Sequence, residues 1–437
     1  MMNDQAHMHF KSDRLQEEYS LYRHPSGLDI YVFPKEMTSY YALFGTKYGS
    51  IHNKFRPSES EEWITVPDGI AHFLEHKLFT CEDGTDAFER FSAYGADANA
   101  YTSFNKTCYL FTCTDRFEES LGELIDFVTH PYFTEESVES EQGIIGEEIR
   151  MYDDSPSDRC FYGMLEGMYE HHSIRRNICG SIESISKITP ELLYACYRSF
   201  YDLSNMALIV CGRVTEDQVL RIANEHLPSK GTGRTPIFDN ENNAEKPQAF
   251  KNLCEMRMQV SKPLFNIGIK DTNIPDDGRA RQKKDAAMAI LDEMIFSRAG
   301  ALYNHLLENE MISPSLSYGY SISKTTAYNS IAGESDDPKA VLTTILNYIE
   351  ELRKTGLSEE DFLRGKRVML AEFIKSFDST DSIANTLFSF VCEECELLSY
   401  AELIEEITLQ DVEALFRSSF DPSFITLSVI YPLDKAA

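Results

Sequence analysis

A break near the middle of the chain limits its fold more than any other sequence feature. Residues 228–248 read PSKGTGRTPIFDNENNAEKPQ. A stretch this dense in Pro, Gly, Asn and charge is the composition of a linker, not of a helix or strand. It leaves about 200 residues on either side, the size of one ordinary domain each. Before the break, GLDIYVFP, YYALFGTKYGS, ADANAYTSF, KTCYLFTCT and NMALIVCG have strand patterns. Helical periodicity covers about 69–80, DAFERFSAYG up to Gly95, FEESLGELIDFVTHP, Glu135 to about Tyr152, ELLYACYRSFY and TEDQVLRIANEHL. After the break the same grammar returns. Strands are expected near 254–270 and 316–334 and at FITLSVIYP. Helices are expected near 280–310, 337–354, 358–376, 379–396 and 409–419. No repeat is visible residue by residue. The expectation is an α+β chain of two tandem domains, 1–227 and 251–437, joined by a linker at 228–250.

One helix carries unusual chemistry. GIAHFLEHKLF, residues 69–79, sets His72, Glu75 and His76 in an apolar run, with Asp68 as the expected N-cap. Residues four apart share a helix face, so both imidazoles can aim at one point, with Glu75 bordering them. Two neutral nitrogens and a carboxylate suit zinc, and H-x-x-E-H is the inverzincin order. A catalytic zinc takes three protein ligands and a water, so a further carboxylate is needed from another segment. ESEQGIIGEEIRMYDD offers Glu139, Glu141, Glu147, Glu148, Asp153 and Asp154. Glu141 and Glu148 are seven apart and share a face, but spacing does not choose among the six.

The remaining composition excludes some functions. The formal net charge is −30, spread along the whole chain. Nucleic acid, which demands Lys/Arg patches, is excluded as a partner. No apolar run approaches the roughly 20 residues of a membrane-spanning helix. The N-terminus shows no basic segment followed by an apolar core, so a cytoplasmic location is expected. The ten cysteines are scattered and read as reduced thiols. Cys392 and Cys395 form a lone CxxC, read as two ordinary helix cysteines. His171 and His172 follow a helix and are expected to act as cations at its C-terminal end. Trp63 is expected to pack near the histidine helix.

PDGIAHFLEHKLF, GADANAYTSF and EQGIIGEEIRMYDD, in that order, resemble the pitrilysin, insulysin and mitochondrial processing peptidase family, and most of all its bacterial YmfH-like branch. The likeness runs over the whole chain. It implies two domains of that type, each a mainly antiparallel sheet covered by helices, with the zinc site in the first and no zinc motif in the second. It implies a peptidase binding one Zn2+ per chain through His72, His76 and Glu148, with Glu147 the alternative ligand. Glu75 would be the general base and Glu141 the support of the metal site. Asn99 and Ala100 would hold the substrate backbone, and Tyr101 would line the site. Family members that act alone carry an Arg and a Tyr in the second domain. Here Tyr318 or Tyr320 matches the tyrosine, but no Arg or Lys lies between Asn304 and Ser323. The resemblance therefore implies a related chain as heterodimer partner, or a homodimer, with peptides as substrates. Two alternatives remain: a non-catalytic binding subunit, and a small-molecule lyase of the LuxS type. The second is disfavoured by this chain's length and second half.

Overall fold

The computed structural model describes residues 7–233, 236–239 and 245–433. The chain forms two compact units, and neither is continuous in sequence. One comprises Met1–Ile149, Arg176–Asn240 and Ile374–Leu398; the other comprises Arg150–Arg175, Glu241–Phe373 and Ser399–Ala437. The sequence divides the chain once, at 228–250. Contacts also exchange two helical segments that no local pattern assigns.

The first unit's strands are β1 (His7–Ser12), β2 (Glu17–Arg23), β3 (Asp29–Pro34), β4 (Tyr40–Thr46), the short β5 (Lys54–Arg56) and β6 (Ile64–Thr65), β7 (Asp97–Thr102), β8 (Thr107–Cys113), β9 (Met206–Gly212) and the short β10 (Ile237–Phe238). The second unit holds β11 (Leu253–Met258), β12 (Leu264–Asp271), β13 (Ser317–Ile322), β14 (Ala327–Glu334) and β15 (Ile425–Pro432). The main sheets run β1-β2-β3-β9-β4-β8-β7 and β11-β15-β12-β14-β13. Each has one parallel pair, β3 with β9 and β11 with β15; its other pairs are antiparallel. The order β3-β9-β4-β8-β7 maps strand for strand onto β11-β15-β12-β14-β13. The two units therefore share a five-strand topology that the residues themselves do not display. β9, MALIVCG, is buried at every position, as a strand covered on both faces must be.

The helices that matter for the site are α1 (Ile70–Leu78), α2 (Ala87–Tyr94), α3 (Phe117–Thr129) and α4 (Glu135–Asp153). α5 (Pro156–Met168) packs on β12 and β15 and so belongs to the second unit. Then come α6 (Ile182–Ile185), α7 (Pro190–Phe200), α8 (Glu216–His226), α9 (Gly278–Phe296), α10 (Ala301–Glu308), α11 (Pro338–Thr355) and α12 (Glu359–Lys375). α13 (Thr380–Cys392) returns to the first unit, on β4 and β9. There the Phe388 ring fills the space above Gly45, where a Cβ would meet it at 2.2 Å. α14 (Tyr400–Glu406) and α15 (Leu409–Ser418) complete the set.

Several expectations need correction. Part of the linker is ordered: Ile237 and Phe238 pair with Arg56 and Phe55, while 234–235 and 240–244 lie outside the described residues. α13 stops at Cys392 because Glu394 turns at φ 60°, so Cys395 is not a helix cysteine. Among the described residues none of the ten cysteines forms a disulfide. His172 is no helix-end cation. α5 ends at Met168, His172 is buried, and burial pushes its pKa down to about 4 against the opposing charge of Glu245. Trp63 is 42% exposed, with Lys54 and Arg56 stacked on its ring. Among the described residues no helix is long and apolar enough to cross a membrane.

Candidate metal centre

The site begins with how α1 starts. Asp68 does not cap it; its carboxylate accepts from Asn53 and lies 3.8 Å from Arg176. The N-cap is Gly69, at φ 93° and without a side-chain cap. A Cβ on Gly69 would meet the Cys179 carbonyl oxygen at 2.4 Å, and one on Gly180 would meet the Asp68 carbonyl oxygen at 2.4 Å. Both glycines have positive φ, so no other residue fits either position without strain. Ser184 adds a hydrogen bond to the Asp68 carbonyl. The 177–180 loop is thus pressed backbone to backbone against the start of α1.

From that anchor α1 buries every residue except His76. Phe73 and Leu74 enter the core, which fixes the rotation of the helix. α4 packs Ile145 and Ile149 inward, which turns Glu141 and Glu148 toward α1; Glu147 is exposed on another face. His72 Nε2 stands 3.6 Å from Glu148 Oε1, and His76 Nε2 stands 3.6 Å from Glu148 Oε2. Both gaps are too long for hydrogen bonds. Each falls at the spacing of two ligands of one small cation, since bonds of about 2.0–2.2 Å in a tetrahedron put ligand atoms roughly 3.3–3.6 Å apart, and the two reach different oxygens of Glu148. The donor set, two imidazoles and a carboxylate, suits zinc.

The supporting groups are also in place. His76 Nδ1 and Glu141 Oε1 are 3.0 Å apart, and Lys77 Nζ lies 3.6 Å from Glu141 Oε2. A carboxylate accepting from Nδ1 keeps the proton there and leaves the Nε2 lone pair facing Glu148. Burial lowers the pKa of His76, but the Glu141 hydrogen bond and the charges of Glu75, Glu141 and Glu148 outweigh it, so the net shift is upward. His72 is different. Burial, with His76 beside it, pushes it down to about 3, so it is neutral. Its Nδ1 is buried with no hydrogen-bond partner. Nε2 is then the ring's polar anchor, and it faces Glu148.

Glu75 is 6% exposed, and burial pushes its carboxyl up to about 7, against a lowering hydrogen bond from Thr102. Thr102 Oγ1 donates to Glu75 Oε2 at 2.5 Å. Thr102 ends β7, the open edge of the sheet. Alternation puts Ala100 on the Thr102 side of β7, and Asn99 and Tyr101 on the other. Asn99 Oδ1 accepts from the Ala100 N–H, and the Tyr101 hydroxyl donates to Asn385 on α13. Tyr318 and Tyr320 lie on β13 in the second unit, where their hydroxyls donate to Glu293 and Asp271. Tyr318 on Glu293 of α9 repeats, in topology, Thr102 on Glu75 of α1, without histidines.

Sequence reasoning missed three residues here: Thr102, Lys77 and Cys179. Thr102 sits inside the DANAYTSF stretch, but only the packing of β7 against α1 gives it a partner. Cys179 Sγ lies 3.9 Å from His72 Nε2 and 4.0 Å from Glu148 Oε1.

The chain is similar to known proteins over nearly its whole length. Residues 65–181 match the family described as Insulinase (Peptidase family M16), and residues 187–369 match the Peptidase M16 inactive domain. The chain is 37% identical over 421 residues to a Bacillus subtilis protein named "Uncharacterized zinc protease YmfH", covering 96% of this chain and 98% of that one. A Streptomyces coelicolor relative, "Uncharacterized zinc protease SCO5738", is 23% identical over 385 residues, 85% of this chain and 82% of its own. The crystal structure of an M16-like peptidase from Alicyclobacillus acidocaldarius superposes with a TM-score of 0.90 at 29% identity, covering 97% of this chain and all of that one. A Helicobacter pylori protease shares the fold, with a TM-score of 0.78 at 16% identity over 95% of this chain and all of its own. The chain belongs to the insulinase family of peptidases, peptidase family M16.

Proposed function

We propose that the protein is a zinc-dependent endopeptidase that hydrolyses peptides or unfolded segments. His72, His76 and Glu148 would hold one zinc per chain, with Glu141 positioning His76. What supports this above all is the pair of histidine nitrogens, each 3.6 Å from a different oxygen of one carboxylate. Zinc held there supplies Lewis acidity, lowering the pKa of a water to about 7 and polarising a carbonyl.

The chain's own groups do the rest. Thr102 occupies Glu75 Oε2, which leaves Oε1 to take a proton from the attacking water and return it to the leaving amine. A carboxyl whose site raises its pKa to about 7 is suited to both directions of that transfer. The open edge of β7, at Asn99 and Ala100, offers main-chain groups to an extended peptide, with Tyr101 beside them. Backbone pairing tolerates many sequences. The test is cleavage of an unstructured peptide by metal-stripped protein before and after zinc is restored. Activity that survives a chelator, or fails to return with zinc, would refute the proposal.

The absence of Arg or Lys between Asn304 and Ser323 favours a refinement. A related chain would supply the cation that stabilises the oxyanion, making this the zinc-carrying half of a pair. Native mass spectrometry of the protein from its own cells tests this: a zinc-loaded monomer or homodimer would end the heterodimer reading. Metal-dependent cleavage by the isolated chain would end the idea of a non-catalytic subunit. A cytoplasmic location belongs to the same proposal.

A further inference from the structure

Within reach of the three proposed zinc ligands lies a fourth group that the family's His-His-Glu pattern does not include. Cys179 is 4% exposed. Its Sγ, a His72 nitrogen and a Glu148 oxygen all lie within 4.8 Å of one another, a grouping able to hold a metal ion. Sγ is 3.9 Å from His72 Nε2 and 4.0 Å from Glu148 Oε1, the same two atoms that face each other across the 3.6 Å gap. A zinc–sulfur bond of about 2.3 Å beside a zinc–nitrogen bond of about 2.0–2.1 Å puts the ligand atoms roughly 3.5 Å apart in a tetrahedron. A small turn about the Cys179 χ1 closes the remaining few tenths of an ångström.

The placement is held by the backbone. Gly69 against the Cys179 carbonyl, and Gly180 against the Asp68 carbonyl, tie the loop to the first turn of α1. Asn177 Oδ1 accepts from the Cys179 N–H. His72 lies less than one turn into that helix, so the distance between thiol and imidazole is set by the tightest backbone contacts near the site.

We infer that Cys179 is a metal ligand: in the absence of substrate its sulfur joins His72 and Glu148 on the ion. The inference rests on the zinc site proposed above. It has two consequences. A soft sulfur biases the site toward thiophilic ions such as Zn2+ and Cd2+ over Mn2+. It also closes the position that a catalytic zinc keeps for water, so the thiol must leave before hydrolysis begins.

Cobalt substitution separates this inference from the reading beneath it. Co2+ bound at the site gives visible d–d bands whatever its ligands. Sulfur ligation adds an intense charge-transfer band in the near ultraviolet. The expected result is both sets of bands in the wild-type protein, with only the charge-transfer band lost in Cys179→Ser and Cys179→Ala. Wild-type protein showing d–d bands without charge transfer would overturn the role of Cys179 and leave the metal site standing. No cobalt bands at all would overturn both. Should the variants not fold, the cadmium NMR shift of the wild-type protein decides alone, since sulfur ligation moves it far from the range of nitrogen and oxygen sites.

Discussion

Replacing Glu141 by glutamine changes one atom and one charge, yet the local geometry predicts a large effect on metal binding. Glu141 Oε1 faces His76 Nδ1 at 3.0 Å and its Oε2 faces Lys77 Nζ at 3.6 Å. Glutamine has two orientations, and both are worse. With its oxygen toward Nδ1, its NH2 meets the Lys77 ammonium, donor against donor. With its NH2 toward Nδ1, the imidazole proton moves to Nε2 and blocks the lone pair that a metal needs. Groups of this kind are worth about 10–100-fold in metal affinity, or about 1.4–2.7 kcal/mol. Zinc affinity of Glu141→Gln, read by competition with a fluorescent chelator, should fall by that factor. Lys77 is 3% exposed, and losing its carboxylate costs stability as well, about 1–3 kcal/mol. A Glu141→Gln/Lys77→Met double variant tests the argument. With the ammonium gone the amide oxygen can turn to Nδ1, so the variant should regain stability in urea and much of the lost zinc affinity. Affinity within about threefold of wild type in the single variant, or no recovery in the double, would refute the tautomer argument.

The other predictions concern the base, the loop contact and a buried histidine. Glu75→Gln should cut peptide hydrolysis by about 10²–10⁴-fold while the metal content stays at one per chain; a wild-type rate would remove Glu75 as the base. Gly69→Ala places a Cβ 2.4 Å from the Cys179 carbonyl at a φ of 93°. It should cost about 2–5 kcal/mol of stability in urea unfolding, from backbone strain and overlap together; a loss under about 1 kcal/mol would mean that the contact is soft. His172 gives a pH dependence. Its unfolded value is 6.5 and burial lowers the folded value to about 4, so between them the unfolded chain binds more protons. Stability present above pH 6.5 is lost as pH falls toward 4, by roughly 3 kcal/mol for a shift of this size. His172→Asn, which can still accept from the Ile174 N–H, should flatten that slope, and an unchanged slope would assign the acid sensitivity elsewhere.

How much of this was legible in the sequence follows the reach of each signal. The strand pair at β7 and β8, the helix ending at Gly95, the long α4 and the fully buried β9 all follow from periodicity within a dozen residues. So does the shared face of His72 and His76, because a helix brings i and i+4 together whatever surrounds it. Glu148 was only one of six candidates by spacing. Its pairing with both histidines depends on Ile145 and Ile149 turning α4, which no motif in the helix announces. Thr102 and Cys179 lie further still from any local signal. One reaches Glu75 because an edge strand packs on α1, the other reaches His72 because two glycine contacts pin a loop.

The exchange of α5 and α13 between the units has the same cause on a larger scale. Both are ordinary amphipathic helices, and amphipathicity states that a helix is covered without stating by what. For α13 the answer is a ring-shaped space above Gly45, 343 residues from Phe388 in sequence and filled by it in the fold. The duplicated strand order is hidden for a related reason. Topology is kept by which backbone pairs with which, and hydrogen-bonded ladders accept almost any alternating sequence. Two units can therefore keep the order β3-β9-β4-β8-β7 and β11-β15-β12-β14-β13 while their helices diverge. In one, the helix before the edge strand carries His72, Glu75 and His76. In the other, the corresponding helix carries Asp292 and Glu293, and burial pushes the Asp292 carboxyl upward against a lowering hydrogen bond from the Asn329 amide, which donates to both its oxygens. A buried carboxyl hydrogen-bonded to a strand amide can hold a helix to a sheet; among the described residues it has no imidazole partners with which to hold a metal.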